Sequence, residues 1–183
     1  MQMSRFVSRG VTALLLVLLA LPASAATQAG ISGPEMVKIL QDEGYQAKLS
    51  ADADGDPMIE SRMSGVTVYV YFYDCEARRC ESLQFSVGLN LDNGSSPAVV
   101  NSFNSEFRYA RAYLDNEMDP FLKFDFELPL ADHSQYVASQ LGTWEQLLGE
   151  FTVATGFRGA DTRVQPDAGQ PAAGSTAFGT LVP

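Results

Sequence analysis

The stretch GVTVYVYFYDCEARRCESLQFSVGL, residues 65–89, decides the fold. Its first arm alternates between two sets of side chains, and a period of two is that of a strand, whose successive side chains point to opposite faces. The two sets are Val66, Val68, Val70 and Phe72 on one side and Thr67, Tyr69, Tyr71 and Tyr73 on the other. The second arm sets Leu83, Phe85, Val87 and Leu89 against Ser82, Gln84, Ser86 and Gly88. Paired as an antiparallel hairpin, the arms predict a sheet with one apolar face and one face that carries the tyrosines.

The N terminus of the chain has the three parts of a secretory signal peptide. Arg5 and Arg9 precede an apolar run at residues 11–21, and the small residues 23–25 provide a cleavage site. We expect residues 1–25 to be removed and the mature protein of 158 residues to be exported to an oxidising space. A retained membrane anchor is the alternative, although the apolar run is shorter than the roughly 20 residues that span a bilayer.

The chain contains two cysteines, Cys75 and Cys80, which lie between the arms of the predicted hairpin. In a chain carrying an export signal, such a pair predicts a disulfide. Two thiols alone make a poor zinc site, and the spacing is not the CxxC of a catalytic dithiol. We therefore expect a structural disulfide that contributes about 2 kcal/mol by closing a short loop.

The charge of the chain is strongly acidic, with 22 Asp and Glu against 12 Lys and Arg, a formal net charge of -10. Removal of the two signal arginines makes this -12. This acidity argues against binding to nucleic acid or to anionic lipid, both of which attract basic surfaces. We expect no membrane contact after signal cleavage, and a protein or a second copy of the chain as the partner.

The rest of the chain predicts three helices and further strands. Helix start signals, in which a capping residue is followed by proline or by a capping-box Glu or Gln, stand at Ser32, Ser96 and Asp132. Alternation typical of strands appears at residues 45–49, 58–63, 109–115 and 122–128. The order α-β-β-β-β-α-β-β-α predicts the α+β class, an antiparallel sheet of five or six strands with three helices on one face. The predicted domain covers residues 31–154, and a disordered tail rich in Gly, Pro and Ala covers residues 156–183.

Five pieces of the predicted domain form a recognisable pattern between residues 31 and 151. They are GDPMIESRMSGVTVYVYFYDC (55–75), ESLQF (81–85), NSFNSEFRYARAYLD (101–115), DPFLKFDFEL (119–128) and a closing helix with Trp144. This pattern resembles the YbjN family, bacterial proteins described as sensory-transduction regulators and similar in fold to type III secretion chaperones. Phe103 stands where the family usually has tryptophan. The resemblance implies a non-enzymatic role, and the likeness to chaperones implies dimers or a bound protein segment. We expect no cofactor, and for an exported bacterial protein we expect the periplasm as its location.

Catalytic constellations are not recognisable in the sequence. His133 is the only histidine and is predicted as a solvated residue at a helix start, without a nucleophile or an orienting partner nearby. Residues 52–56 are similar to the opening of a calcium loop, but the glycine comes too early and Met63 takes the place of the bidentate glutamate, so we predict a polar turn. Asp125 and Glu127 are predicted on a solvated strand face. An enzyme with a carboxylate pocket and an envelope-structural protein remain as alternatives.

The tyrosine side of the hairpin is the feature that points to function. Tyr and Arg are the residues favoured at the energetic centres of protein interfaces. We predict a partner-binding surface there, and packing of these side chains beneath a loop or the tail is the structural alternative. The surface consists of Tyr69, Tyr71 and Tyr73, extended by Tyr109, Arg111 and Tyr113 if the later strand joins the same sheet.

Overall fold

The computed structural model describes residues 29–158, which form a six-stranded antiparallel sheet with three helices on one face. The elements are α1 (Gly33–Asp42), β1 (Gln46–Ala51), β2 (Pro57–Met63), β3 (Val66–Glu76), β4 (Arg79–Gly88), α2 (Pro97–Glu106), β5 (Ala110–Leu114), β6 (Pro120–Glu127) and α3 (His133–Thr155). The strands lie in the order β1-β2-β3-β4-β6-β5. The predicted class and element order are confirmed. The predicted signal peptide, and the predicted tail beyond Arg158, lie outside the described residues.

The hairpin of β3 and β4 sets the two faces of the sheet, as predicted. Its register places Val70 opposite Phe85 and Tyr71 opposite Gln84. Val70 and Phe85 are fully buried on the apolar face. Because a shift of one residue would turn every side chain to the other face, burial of this apolar set holds the register. At the tip, Cys75 lies opposite Cys80, and the two form the predicted disulfide.

The core lies between the apolar face and the helices. Trp144 of α3 is fully buried, with its ring 5.7 Å from that of Phe85. Phe103 of α2 meets Phe151 of α3 at 5.3 Å, so the two later helices also pack on each other. Burial of such rings supplies most of the energy that holds helices on a sheet. Within residues 29–158, no helix has both the length and the apolar composition needed to cross a bilayer.

Two of the three predicted helix starts form as expected, and the third does not. Glu35 accepts a hydrogen bond from the backbone amide of Ser32 (2.8 Å), and the Ser96 hydroxyl accepts one from the amide of Val99 (3.4 Å). Asp132 precedes α3 in the left-handed conformation (φ 59°), and its side chain caps no amide. A capping residue needs an extended backbone to aim its side chain at the first turn. The predicted capping box between Asp132 and Gln135 is therefore wrong.

Candidate functional site

The side of the sheet opposite the helices is called here the tyrosine face. Its side chains line up in rows that cross the strands, so that residues distant in sequence become neighbours. The rows are Tyr69, Ser86, Lys123 and Arg111; Tyr71, Gln84 and Asp125; Tyr73, Ser82 and Glu127; and Gly88, Phe121 and Tyr113. Five of the six side chains predicted as a partner surface therefore share this face.

Tyr109 is the residue of the predicted set that lies elsewhere. Strand β5 begins at Ala110, which pairs with Phe124, and Tyr109 precedes it with a positive φ of 74°. This conformation takes the chain away from β6 before Tyr109 could extend the pairing. Its exposed ring lines a cleft of about 520 Å³ with Tyr136 and Gln140 of α3. Period-two alternation ran through Tyr109 in the sequence and carried no sign of this bend.

The three tyrosines of β3 differ in exposure. Tyr71 is only 5% exposed, whereas Tyr69 and Tyr73 on either side of it are partly exposed. Burial raises the pKa of Tyr69, with a further contribution from Glu60, and burial together with Asp125 raises the pKa of Tyr73. Both phenols therefore stay protonated at neutral pH and can donate hydrogen bonds.

A hydrogen-bonded group crosses the centre of the tyrosine face. Gln84 of β4 donates from Nε2 to one carboxylate oxygen of Asp125, and Arg111 of β5 donates to the other, each at 2.5 Å. Gln84 is 3% exposed, and its amide oxygen has no hydrogen-bond partner among the described residues. Asp125 was predicted as a solvated carboxylate. The sequence could not reveal its role because nothing in it fixes the register between β4 and β6.

A second aromatic group lies at the far end of the tyrosine face. The rings of Tyr113 and Phe121 stack with centroids 5.4 Å apart and an interplanar angle of 19°. A Cβ atom on Gly88 would lie 2.5 Å from the Phe121 ring, so glycine leaves the space that this ring occupies. The ammonium group of Lys123 lies 5.5 Å from the centre of the Tyr113 ring, within the range of a cation–π contact.

The two aromatic groups border a polar strip. Strands β3 and β5 are separated by three strand spacings, or about 14 Å. The strip between them carries polar side chains of β4 and β6, namely Ser82, Gln84, Ser86, Lys123, Asp125 and Glu127. Gln84, Ser86 and Lys123 of this strip are only 3–5% exposed, so the accessible part of the face consists mainly of the flanking tyrosines together with Arg111 and Asp125.

Comparison with known proteins identifies the family of the domain that carries this face. The family model YbjN, described as "Putative bacterial sensory transduction regulator", matches residues 35–151. The chain belongs to the YbjN family. A similar solved structure is that of YbjN from E. coli, called "a putative transcription regulator", at 12% sequence identity and a TM-score of 0.47, over 66% of this chain and 88% of that one. No curated protein sequence matches the chain.

A cavity of about 460 Å³ on the helical side of this YbjN domain is a second candidate site. It lies between α1 and the start of α3 and brings together Glu35, Asp42, Asp132 and His133. This cavity could not be predicted from the sequence because α1 and α3 are about 90 residues apart. His133 is the first residue of α3, as predicted, but it is partly buried, and its Nε2 lies 2.9 Å from the carbonyl oxygen of Pro129.

Two of the three carboxylates of this cavity, Asp42 and Glu35, are held by structural partners. Asp42 pairs with Lys38 at 2.6 Å, and Glu35 pairs with Arg79 at 2.8 Å. Burial opposes ionisation of Glu35, but hydrogen bonds from Ser32 and the charge of Arg79 outweigh it and lower the pKa of Glu35. A general acid at neutral pH needs the opposite shift. In the described part of the chain, no group of three or more His, Cys, Asp or Glu side chains could hold a metal ion.

The segment similar to a calcium loop forms a turn closed by its own first residue. Asp52 accepts hydrogen bonds from the backbone amides of Asp54 (3.0 Å) and Asp56 (2.9 Å) through the same oxygen. The backbone amide of Asp52 donates to the carbonyl oxygen of Asp56 at 2.9 Å. Such side-chain closure is the usual role of Asp in a turn. The turn joins β1 to β2, as predicted.

Proposed function

We propose that this protein is an exported, non-enzymatic binding or regulatory module that holds a protein partner on its tyrosine face. Membership of the YbjN family supports a regulatory or binding role. The observation that carries the proposal is the tyrosine face itself. Two aromatic groups border its polar strip, while the three described helices pack on the other face. Export, to the periplasm, is supported by the N-terminal signal sequence and by the disulfide.

The chemistry of the exposed side chains of the tyrosine face suits a segment of polypeptide. Tyr69 and Tyr73 on one side, and Tyr113 on the other, offer partly exposed rings that contact apolar groups and phenols that donate hydrogen bonds. Arg111 is exposed and already oriented by Asp125, so little conformational entropy is lost when it binds. Rigid aromatic side chains and an oriented arginine are typical of the residues that dominate binding energy at protein interfaces.

The test is a variant that removes the exposed part of the face and leaves the buried part intact. Tyr69→Ala, Tyr73→Ala and Arg111→Ala are combined, and Tyr71 is left unchanged because its burial gives it a role in stability. The control variant combines Leu130→Ala with Val153→Ala, two apolar residues that are 82% and 77% exposed outside the tyrosine face. Both variants and the wild type are compared by affinity capture from their own periplasm and by sedimentation velocity.

We expect the triple variant to keep its circular dichroism spectrum and to lose the captured protein, or the concentration-dependent dimer, by at least about tenfold, since removal of interface hot spots costs 2 kcal/mol or more. The control variant should retain both. Equal capture by the two variants, with unchanged sedimentation, would rule out the tyrosine face as the binding surface. A lost dimer would identify a second copy of the chain as the partner.

An enzyme using the cavity between α1 and α3 is the second candidate. The observation in its favour is the meeting of Glu35, Asp42, Asp132 and His133 in one cavity. The lowered pKa of Glu35 and the contact between His133 and Pro129 indicate that these two side chains have a structural role. His133→Ala separates the two proposals. Loss of the protein's cellular role in this variant, with partner capture unchanged, would favour the enzyme, and retention of that role would favour the binding module.

A further inference from the structure

The residues that precede α1 are attached to the tip of the β3–β4 hairpin. The amide of Ile31 donates to the carbonyl oxygen of Cys80, and the amide of Cys80 donates to the carbonyl oxygen of Ile31, both at 2.9 Å. The two residues thus form an antiparallel bridge on the side of β4 away from β3. Ile31 is 1% exposed and Cys80 is fully buried. The N-terminal segment therefore completes the edge of β4 where β6 has ended.

Arg79 strengthens this attachment with three hydrogen bonds. Its guanidinium group donates to the carbonyl oxygens of Ala29 (3.2 Å) and Gly30 (2.7 Å) and to the carboxylate of Glu35 (2.8 Å). Gly30 has a φ of 72°, and a Cβ atom on it would lie 2.5 Å from the carbonyl oxygen of Cys80. One side chain at the hairpin tip thus holds both the N-terminal segment and the first turn of α1.

The turn that carries Arg79 is made of unfavourable residues. Ala77 (φ 48°) and Arg78 (φ 66°) form a two-residue connection between Glu76 and Arg79, with both residues in the left-handed region. Tight hairpin turns of this kind favour Asn-Gly, because L-residues with larger side chains are disfavoured at positive φ. The disulfide between Cys75 and Cys80 brackets this turn directly. The intact disulfide keeps β3 and β4 paired although the conformation of this turn is energetically unfavourable.

We propose that the Cys75–Cys80 disulfide is a redox-sensitive clasp whose reduction releases the N-terminal segment 29–31 from β4. The reductant is a dithiol. Its thiolate attacks the sulfur of Cys75, since the residue Cys75 is partly exposed whereas Cys80 is fully buried, and the sulfur of Cys80 leaves. The second thiol of the reductant resolves the mixed disulfide. Two electrons and two protons pass to the protein, Cys75 and Cys80 become thiols, and the dithiol becomes a disulfide.

Release of the clasp changes two surfaces. Without the disulfide the turn at Ala77 and Arg78 relaxes, and Arg79 loses the position from which it reaches Gly30 and Glu35. The edge of β4 at Cys80 then loses its partner strand. The cavity between α1 and α3 also loses a wall, because Ile31 and Glu35 line it. The rest of the hairpin is held by the core and stays paired.

Amide hydrogen exchange in the mature protein, before and after treatment with dithiothreitol, tests the clasp. The amides of Ile31 and Cys80 report the attachment, and those of Val70 and Phe85 report the centre of the sheet. We expect reduction to speed exchange at Ile31 and Cys80 by roughly tenfold or more and to leave Val70 and Phe85 within about twofold, since local opening and global unfolding expose different amides. Unchanged exchange at Ile31 would overturn the proposal, and so would equal acceleration at all four amides.

A pair of variants examines the role of the turn. Cys75→Ser with Cys80→Ser should exchange rapidly at Ile31 whether or not dithiothreitol is present. Adding Ala77→Asn and Arg78→Gly gives the turn its preferred residues, and we expect it to restore most of the protection without a disulfide. Protection that stays low, although the centre of the hairpin exchanges as in the wild type, would show that the disulfide does not act through the turn.

Discussion

The two faces of the β3–β4 hairpin are buried to a similar depth by different means. On the apolar face Val70 and Phe85 are fully buried beneath the helices, with Trp144 in contact. On the tyrosine face Tyr71 is 5% and Gln84 3% exposed, although the described helices lie on the other side. Tyr71 and Gln84 are neighbours in one row of this face, and Gln84 is hydrogen-bonded to Asp125 next to it. Burial by helices builds the core, whereas the tyrosine face has a buried centre between tyrosines that stay partly exposed.

The largest expected effect comes from removing the contact between helix and sheet. Trp144→Ala should lower the free energy of unfolding by about 3–5 kcal/mol, since it leaves a large cavity against Phe85 and Phe124. Urea denaturation measures the loss. Trp144→Phe is the control and should cost less, because it keeps an aromatic ring and removes an indole N–H that is buried without a partner among the described residues. A loss below about 1 kcal/mol for the alanine variant would contradict the account of the core.

Substitution of Tyr71 tests whether the buried centre of the tyrosine face contributes to the stability of the fold. Tyr71→Ala should cost about 2–3 kcal/mol, the value of burying a large apolar side chain. Tyr73→Ala, on the same face and strand but partly exposed, should cost clearly less. Urea denaturation of both variants gives the comparison. Equal losses would mean that exposure does not separate the two tyrosines energetically.

The disulfide should have an intermediate effect. Cys75→Ser with Cys80→Ser should lower the free energy of unfolding by about 2 kcal/mol, because the disulfide closes a loop of only a few residues. Reduced wild-type protein, measured in urea with dithiothreitol, should match this variant. A loss near that of Trp144→Ala would mean that the hairpin tip is needed to form the domain, contrary to the burial of its two arms.

The smallest effect concerns the pH dependence of the Glu35–Arg79 ion pair. The pKa of Glu35 is lower in the folded protein than in the unfolded chain, so its stabilisation is present above the ordinary pKa and is lost as pH falls through the folded value. Glu35→Gln should lower stability at pH 7 by less than about 1 kcal/mol, since the carboxylate is half exposed. Thermal melts at pH 7 and pH 3 measure it. The difference from wild type should shrink at pH 3, and a difference that grew on acidification would refute the sign.

The sequence was sufficient to predict the helices, the strands and the two faces of the sheet, because alternation and helix start signals are local. Val70 and Phe85 could be assigned to the core from their period alone. The pairing of β6 between β4 and β5 is not local, and with it the contact of Gln84, Asp125 and Arg111 was missed. The bend at Tyr109 also escaped prediction, because an L-residue at positive φ leaves no compositional sign.

The most direct test of the central claim is photo-crosslinking from the tyrosine face. A benzophenone amino acid replaces Tyr73 in one strain and Val153, which is 77% exposed outside that face, in another. After irradiation of living cells, mass spectrometry identifies the adducts. The account predicts a discrete protein adduct from position 73, a second copy of the chain included, and none of that mass from position 153. The same adduct from both positions, or an adduct from position 153 alone, would contradict it.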